Sequence, residues 1–246
     1  MTYTMKVLDH GFVTLRNMSG PTRRTGMAIG DVVNNTSLRA FDADDVDVAN
    51  SARMSFDNMD GTRTYEDEMK LNRYLLANKH STPFESIEVW LEMKLPIFVA
   101  RQFVRHRTVS LNEVSGRYVT LPAEWYIPEK VGGKPTNKKQ GQSDTLDEDQ
   151  QADFRGALQG HCKNGYAQYQ QATERGVAPE HARLLLSLNH YTHWVWKQDL
   201  RNLMHFLSLR QHSHAQIEAQ AYANAIATLL EPHVPGLMKL HKEMGL

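Results

Sequence analysis

Two hydrophobic periods divide this chain. In SIEVWLEMKL, Ile87, Val89, Leu91 and Met93 fall on one side and Glu88, Trp90 and Glu92 on the other, the two-residue alternation of a strand with one buried face. The run MKVLDHGFVTLRNM has short apolar stretches punctuated by Asp9 and Gly11 and predicts an early hairpin or strand. Elsewhere the period is helical. DADDVDVANSARMSF predicts a helix after an acidic start, which suits the positive end of a helix dipole. YEDEMKLNRYLLANKH sets Met69, Tyr74 and Leu75 among charges and predicts an amphipathic helix. PIFVARQFVRHR predicts a helix opened by Pro96, with Gln102 and Arg105 on one face. From about Asp147, the residues Phe154, Leu158, Cys162, Tyr166 and Tyr169 recur at helical spacing up to Gly176. APEHARLLLSL restarts as a helix with Pro179 in its first turn. DLRNLMHFLSLR and HAQIEAQAYANAIATLLEP predict two more, the second ended by Pro232.

Between these elements, SGPTRRTGMAIGDVVNNTS and KVGGKPTNKKQGQSDTLDEDQ are rich in turn formers and polar residues and predict loops. Neither a repeat nor a break in composition appears, so the expectation is one α+β domain over residues 1–246. Apolar residues at 41% are enough for a real core. Acidic and basic residues balance at 28 each, which excludes nucleic-acid binding through overall charge and makes any anion site local. The one cysteine, Cys162, excludes an intrachain disulfide and a multi-cysteine metal site. MTYTMKVLDHGFVTL lacks the pattern of a signal peptide, and no run approaches the ~20 apolar residues of a membrane span. A cytoplasmic protein without membrane contact is the expectation.

The chemistry concentrates in RHRTVSLNEVSGR, which follows the apolar LPIFVARQFV. Arginine pairs bidentately with phosphates and carboxylates, so Arg105, Arg107 and Arg117 around Ser110, Asn112 and Ser115 suit a phosphorylated ligand. Gly116 lets backbone N–H groups approach an oxyanion closely. The bland alternative is a solvated basic turn. In DLRNLMHFLSLRQHSHAQ, Arg201 and His205 are four apart and share a helix face, with Arg210 well round the helix or beyond its end. Arginines among such apolar neighbours need an anion or a partner subunit. HYTH and HSH invite a metal reading, with His190 and His193 on one helix face, yet no H-E-x-x-H motif is present. Two rivals follow: a nucleic-acid-binding protein using Arg101, Arg105 and Arg107, and a histidine-based metal-dependent hydrolase. Both GxGxxG and GxxxxGK[ST] are missing.

Taken together, Arg105, His106, Arg107 and Ser115 fit the R-H-R, seven residues, Ser pattern, and the chain resembles the flavin-dependent thymidylate synthases. ANSARMSF, HSTPFE, PIFVARQFVRHR, EWYIP, ARLLLSLNHYT and LRNLMHFLSLRQHSHAQIEAQAYA follow in the family's order over about residues 46–230, leaving 1–45 and 130–150 outside the pattern. The resemblance implies a mostly antiparallel sheet flanked by helices and a homotetramer with active sites shared between subunits. It implies conversion of dUMP to dTMP, with methylenetetrahydrofolate as carbon donor and NADPH reducing FAD. By position it implies flavin contacts at Thr82, Arg105, His106, Arg107, Glu113, Arg201 and His205, and at the backbone of Asp199 and Leu200. It places the nucleotide on Gln102, Arg105, Glu113, Ser115, Gly116, Arg117 and Arg183, with Arg210 facing the uracil ring as the catalytic residue. His80 is expected on the folate or flavin side. Asp199 and His205 stand where many members carry Asn. No metal is implied, and Cys162 receives no catalytic role. Ser115 lacks an adjacent base and is expected to hold substrate rather than attack it.

Overall fold

The computed structural model describes residues 3–21, 43–58, 63–135 and 144–245. Most of the loop expected over 19–37, and the centre of the one over 130–150, lie outside them. The sheet is built from β1 (Thr4–Val7), β2 (Gly11–Ser19), β3 (Glu88–Pro96), β4 (Val109–Glu113) and β5 (Tyr191–Asp199). Its order is β1-β2-β3-β5-β4, every pairing antiparallel. Residues 4–19 are therefore two strands of the sheet itself. The β3 alternation holds, with Val89, Leu91, Met93 and Leu95 buried on one face.

The opposite face is laced with charge, as a one-sided antiparallel sheet allows. Lys197 Nζ lies 2.8 Å from Glu88, His193 Nε2 lies 2.7 Å from Glu92, and Arg16 also pairs with Glu92. The spacing of His190 and His193 belongs to this strand geometry and not to a helix. His190 precedes β5 and is buried, while His193 points to the exposed face. The expectation of a shared helix face is corrected: the WVWKQ alternation, with Trp194 and Trp196 inward, decides for a strand.

The helices are α1 (Asp45–Arg53), α2 (Tyr65–Ala77), the single turn α3 (Thr82–Glu85), α4 (Ile97–Phe103), α5 (Glu148–Glu174), the single turn α6 (Pro179–Ala182), α7 (Leu200–Arg210), α8 (Ile217–Leu230) and α9 (Pro235–Met244). APEHARLLLSL yields only α6 and a 3-10 turn over Arg183–Leu185 in place of the expected helix. Leu184 and Leu188 are exposed, so that stretch has no apolar face seated on the core to hold a longer helix. Against the apolar sheet face pack Leu200, Leu203, Phe206 and Leu207 of α7 and Tyr222, Ala223 and Ile226 of α8. Full burial of such a side chain stabilises by about 1.5–3 kcal/mol. Phe103, Trp196 and Phe206 meet there, with ring centroids 4.8–6.1 Å apart.

One carboxylate joins three helices. Asp45, in the first turn of α1, is buried. It accepts hydrogen bonds from Tyr65 Oη at 2.6 Å and from the backbone N–H groups of Gly236 and Leu237, both at 2.8 Å. Val234, at the N-cap of α9, makes no side-chain cap, so Asp45 caps that helix from another element. Burial first, and then the Asp45 hydrogen bond, push the Tyr65 hydroxyl up to about 12. Charge-assisted hydrogen bonds are worth about 1.5–3 kcal/mol each. Asp45→Ala should therefore cost about 3 kcal/mol, lowering Tm by roughly 6–12 °C for a chain of this size in a thermal unfolding scan.

Candidate active site

The arginine-rich segment is displayed by a short, anchored helix. Val99, Ala100 and Phe103 of α4 are buried, and its first N–H groups donate to the carbonyls of His190 at 2.9 Å and Leu188 at 3.0 Å. The helix was expected to continue through RHR; it stops at Phe103. Gln102 and Arg105 thus do not share a helical face. Arg105 and Arg107 are exposed on the turn and His106 is half-buried. Thr108 follows with φ 58°, a left-handed conformation rare for a β-branched residue. Its hydroxyl donates to Arg107 O at 2.6 Å, and Gln198 Nε2 donates to the same carbonyl at 3.2 Å. The chain then enters edge strand β4, where Glu113 accepts a hydrogen bond from Thr192 Oγ1.

Arg210 closes α7 and meets this turn. Its Nε donates to His106 Nε2 at 3.0 Å and a terminal nitrogen donates to Gln102 O at 3.2 Å, while the Gln102 amide donates to Gln216 Oε1 at 2.6 Å. Burial, then the charges of Arg210 and His205, pull His106 down to about 4. Its Nε2 accepts, so the neutral ring carries its proton on Nδ1 and keeps a donor available. Burial, then the neighbouring Arg105, also lower the Arg210 guanidinium below its ordinary value.

Two clefts flank α7. One of about 340 Å³ is lined by Arg201, His205, His80, Lys79 and an apolar wall that includes Leu76, Phe84 and Met204. Arg201 Nε donates to Ser81 Oγ at 3.3 Å, beside the exposed Thr82. Asp199 accepts from the N–H and the side-chain amide of Asn202, both at 2.8 Å, capping α7, with Leu200 buried behind it. The other cleft, about 1240 Å³, holds Gln102, Arg210, Gln216, Lys130, His212 and His214. Among the described residues neither cleft is lined by an Asp or Glu, and Arg105 and Arg107 meet no carboxylate. Such a surface fits ligands that carry phosphates. Ser115, Gly116, Arg117 and Arg183 form a third group. Arg117 pairs with Glu180 at 3.2 Å, and a Cβ on Gly116 would come 3.1 Å from Leu121 and 3.5 Å from Arg183. No hydrogen bond or ion pair among the described residues links Arg117 or Arg183 to Arg210.

The family model described as thymidylate synthase complementing protein matches residues 37–236. A flavin-dependent thymidylate synthase of Gluconobacter oxydans is 40% identical over 246 residues, covering 98% of this chain and 73% of that relative. The chain belongs to the flavin-dependent thymidylate synthase family. Another flavin-dependent thymidylate synthase, from Thermus thermophilus, is 40% identical over 94% of the chain and 76% of its own length. The solved structure of the UMP/dUMP methylase PolB from Streptomyces cacaoi bound with 5-Br dUMP matches with a TM-score of 0.78 at 28% identity, covering 97% of each chain. Membership in the flavin-dependent thymidylate synthase family makes the chain a flavin-using enzyme of the methyltransferase kind.

Several members of the site escaped the sequence reading. Gln216 lies 114 residues from Gln102 and was visible only as part of the long C-terminal motif. Ser81, Thr108 and Gln198 act through backbone or hydroxyl contacts that no spacing announces. Among the described residues no group of three His, Cys, Asp or Glu side chains is placed to hold a metal ion.

His106 has a testable titration. Its folded pKa, about 4, lies below the ordinary 6.5, so the unfolded chain binds the extra proton between these values. The stability it contributes is complete above pH 6.5 and is lost as pH falls from there through 4. NMR titration of the apoprotein should find His106 neutral down to about pH 4, and Arg210→Ala should move that pKa upward.

Proposed function

We propose that this chain catalyses the reductive methylation of dUMP to dTMP, with methylenetetrahydrofolate as carbon donor and NADPH as reductant through FAD, and without a cysteine nucleophile. In this reading residues 1–246 act as a single domain and assemble as a homotetramer. The observation that carries it is Arg210, fixed by a neutral His106 and the Gln102 carbonyl in the lining of a cleft where no described residue is acidic. The likeness to a structure named as bound with 5-Br dUMP supports the nucleotide as ligand.

Bound FAD supplies the two-electron chemistry of the reaction. The chain's own groups bind, orient and polarise. The exposed Arg105 and Arg107 and the Nδ1–H of His106 are donors for flavin phosphate oxygens, and Arg201 and His205 face the same cofactor from α7 with Thr82 beside them. Glu113 and the backbone at Asp199 and Leu200 complete the proposed flavin contacts. Gln102, Arg105, Glu113, Ser115, Gly116, Arg117 and Arg183 hold the nucleotide. Arg210 presents a fixed positive charge to the pyrimidine and stabilises negative charge developing on the ring, which is electrostatic catalysis by a preorganised donor.

A site shared between subunits accounts for the separation of Arg117 and Arg183 from Arg210 within one chain. Exposed Leu111, Val114, Tyr118, Val119 and Val195, on and beside edge strand β4, support an interface there. Cys162 does not suit a nucleophile. It is buried on α5, its thiol donates to Asn189 Oδ1 at 3.4 Å with Ser187 Oγ also at 3.4 Å, and it lines neither cleft.

Arg210→Ala should lower kcat about 10²–10³-fold while flavin absorbance stays with the protein through desalting. Turnover at the parent rate would remove the proposed role. Cys162→Ser should keep kcat within about twofold, and a collapse in a folded variant would restore a thiol mechanism.

A further inference from the structure

The C-terminus of α2 holds a residue that its backbone geometry disfavours. Lys79 N–H donates to Leu76 O at 3.1 Å and His80 N–H to Leu75 O at 2.9 Å, the paired bonds of a Schellman ending. The residue after the cap, Lys79, has φ 58°. Glycine is favoured there because an L side chain strains the left-handed conformation. Lysine at such a place brings no conformational advantage. What it does bring is a basic side chain to the lining of the cleft of Arg201, His205 and His80, where no described residue is an Asp or Glu. No carboxylate pairs with Lys79 among the described residues. Strain retained at a cleft is a signature of function.

We propose that Lys79 is a ligand-binding residue that contacts a phosphate group of the dinucleotide occupying this cleft. The inference rests on the flavin reading above and deepens it. Two sources present that chemistry: the pyrophosphate of FAD and the 2′-phosphate of NADPH. With Arg201 from α7, Lys79 from α2 brings a second cation to the same small cavity from a separate element.

The test uses the full-length protein with Lys79→Gly and Lys79→Arg. FAD is titrated into apoprotein by flavin fluorescence, and anaerobic bleaching of bound flavin is followed with NADPH and NADH. Lys79→Gly should raise apoprotein Tm by about 2–4 °C, since the strain is gone. It should also weaken one phosphate ligand about tenfold, with a shallower salt dependence than the parent, and Lys79→Arg should keep parental affinity. A weaker FAD Kd assigns the contact to the pyrophosphate. An unchanged FAD Kd with a tenfold loss of preference for NADPH over NADH assigns it to the 2′-phosphate. If the parent binds FAD and Lys79→Gly changes neither quantity, this proposal is overturned while the flavin reading stands. A parent with no affinity for FAD would overturn both.

Discussion

Asp199 performs two jobs that fix everything around it. It is the last residue of β5, paired opposite Glu88, and the N-cap of α7, which starts at the next residue. The Leu200 N–H donates to Ile87 O at 2.8 Å, so the strand turns into the helix with no intervening loop. A central strand is held by neighbours on both edges, and the helix inherits that rigidity. From α7 the molecule presents Arg201 and His205 to one cleft and Arg210 to the other. Asp is among the strongest N-cap residues, and its carboxylate holds the helix start by accepting from the Asn202 N–H. Both its carboxylate oxygens are engaged by Asn202.

Electrostatic imbalance is the second organising fact. The protein as a whole is neutral, yet the described residues lining the clefts beside α7 include arginine, lysine and histidine and no carboxylate. Carboxylates are instead spent on the far face of the sheet and on the Asp45 junction. His106 stays uncharged because burial, and then the charges of Arg210 and His205, oppose its protonation. A neutral ring can accept from Arg210 and donate elsewhere; a charged one could only donate.

The sequence made the strongly periodic elements legible. The β3 alternation, the helix from about Asp147, α7 and α8 all appear where their patterns indicated. Strand β5 did not, because the spacing of His190 and His193 in HYTH also fits one helix face and masks the WVWKQ alternation. Edge strand β4 is exposed beyond Val109 and has no alternating buried face to betray it. Helix α9 lies beyond the last element the periodicity predicted; it opens with Pro235, at home in a first turn, and Asp45 supplies its cap from far away in sequence. The arginine motif was plain. Its supports were not, since the Gln102–Gln216 and His106–Arg210 pairs span more than a hundred residues each.

The sealed environment of Cys162 has a practical side. The only sulfhydryl in the chain is shut behind Ser187 and Asn189 on a buried helix face. A cysteine introduced at an exposed position would therefore be a unique chemical handle, reacting with a fluorophore or spin label in native conditions while the endogenous thiol stays silent. The protein comes already suited to single-site labelling, without the removal of a native residue.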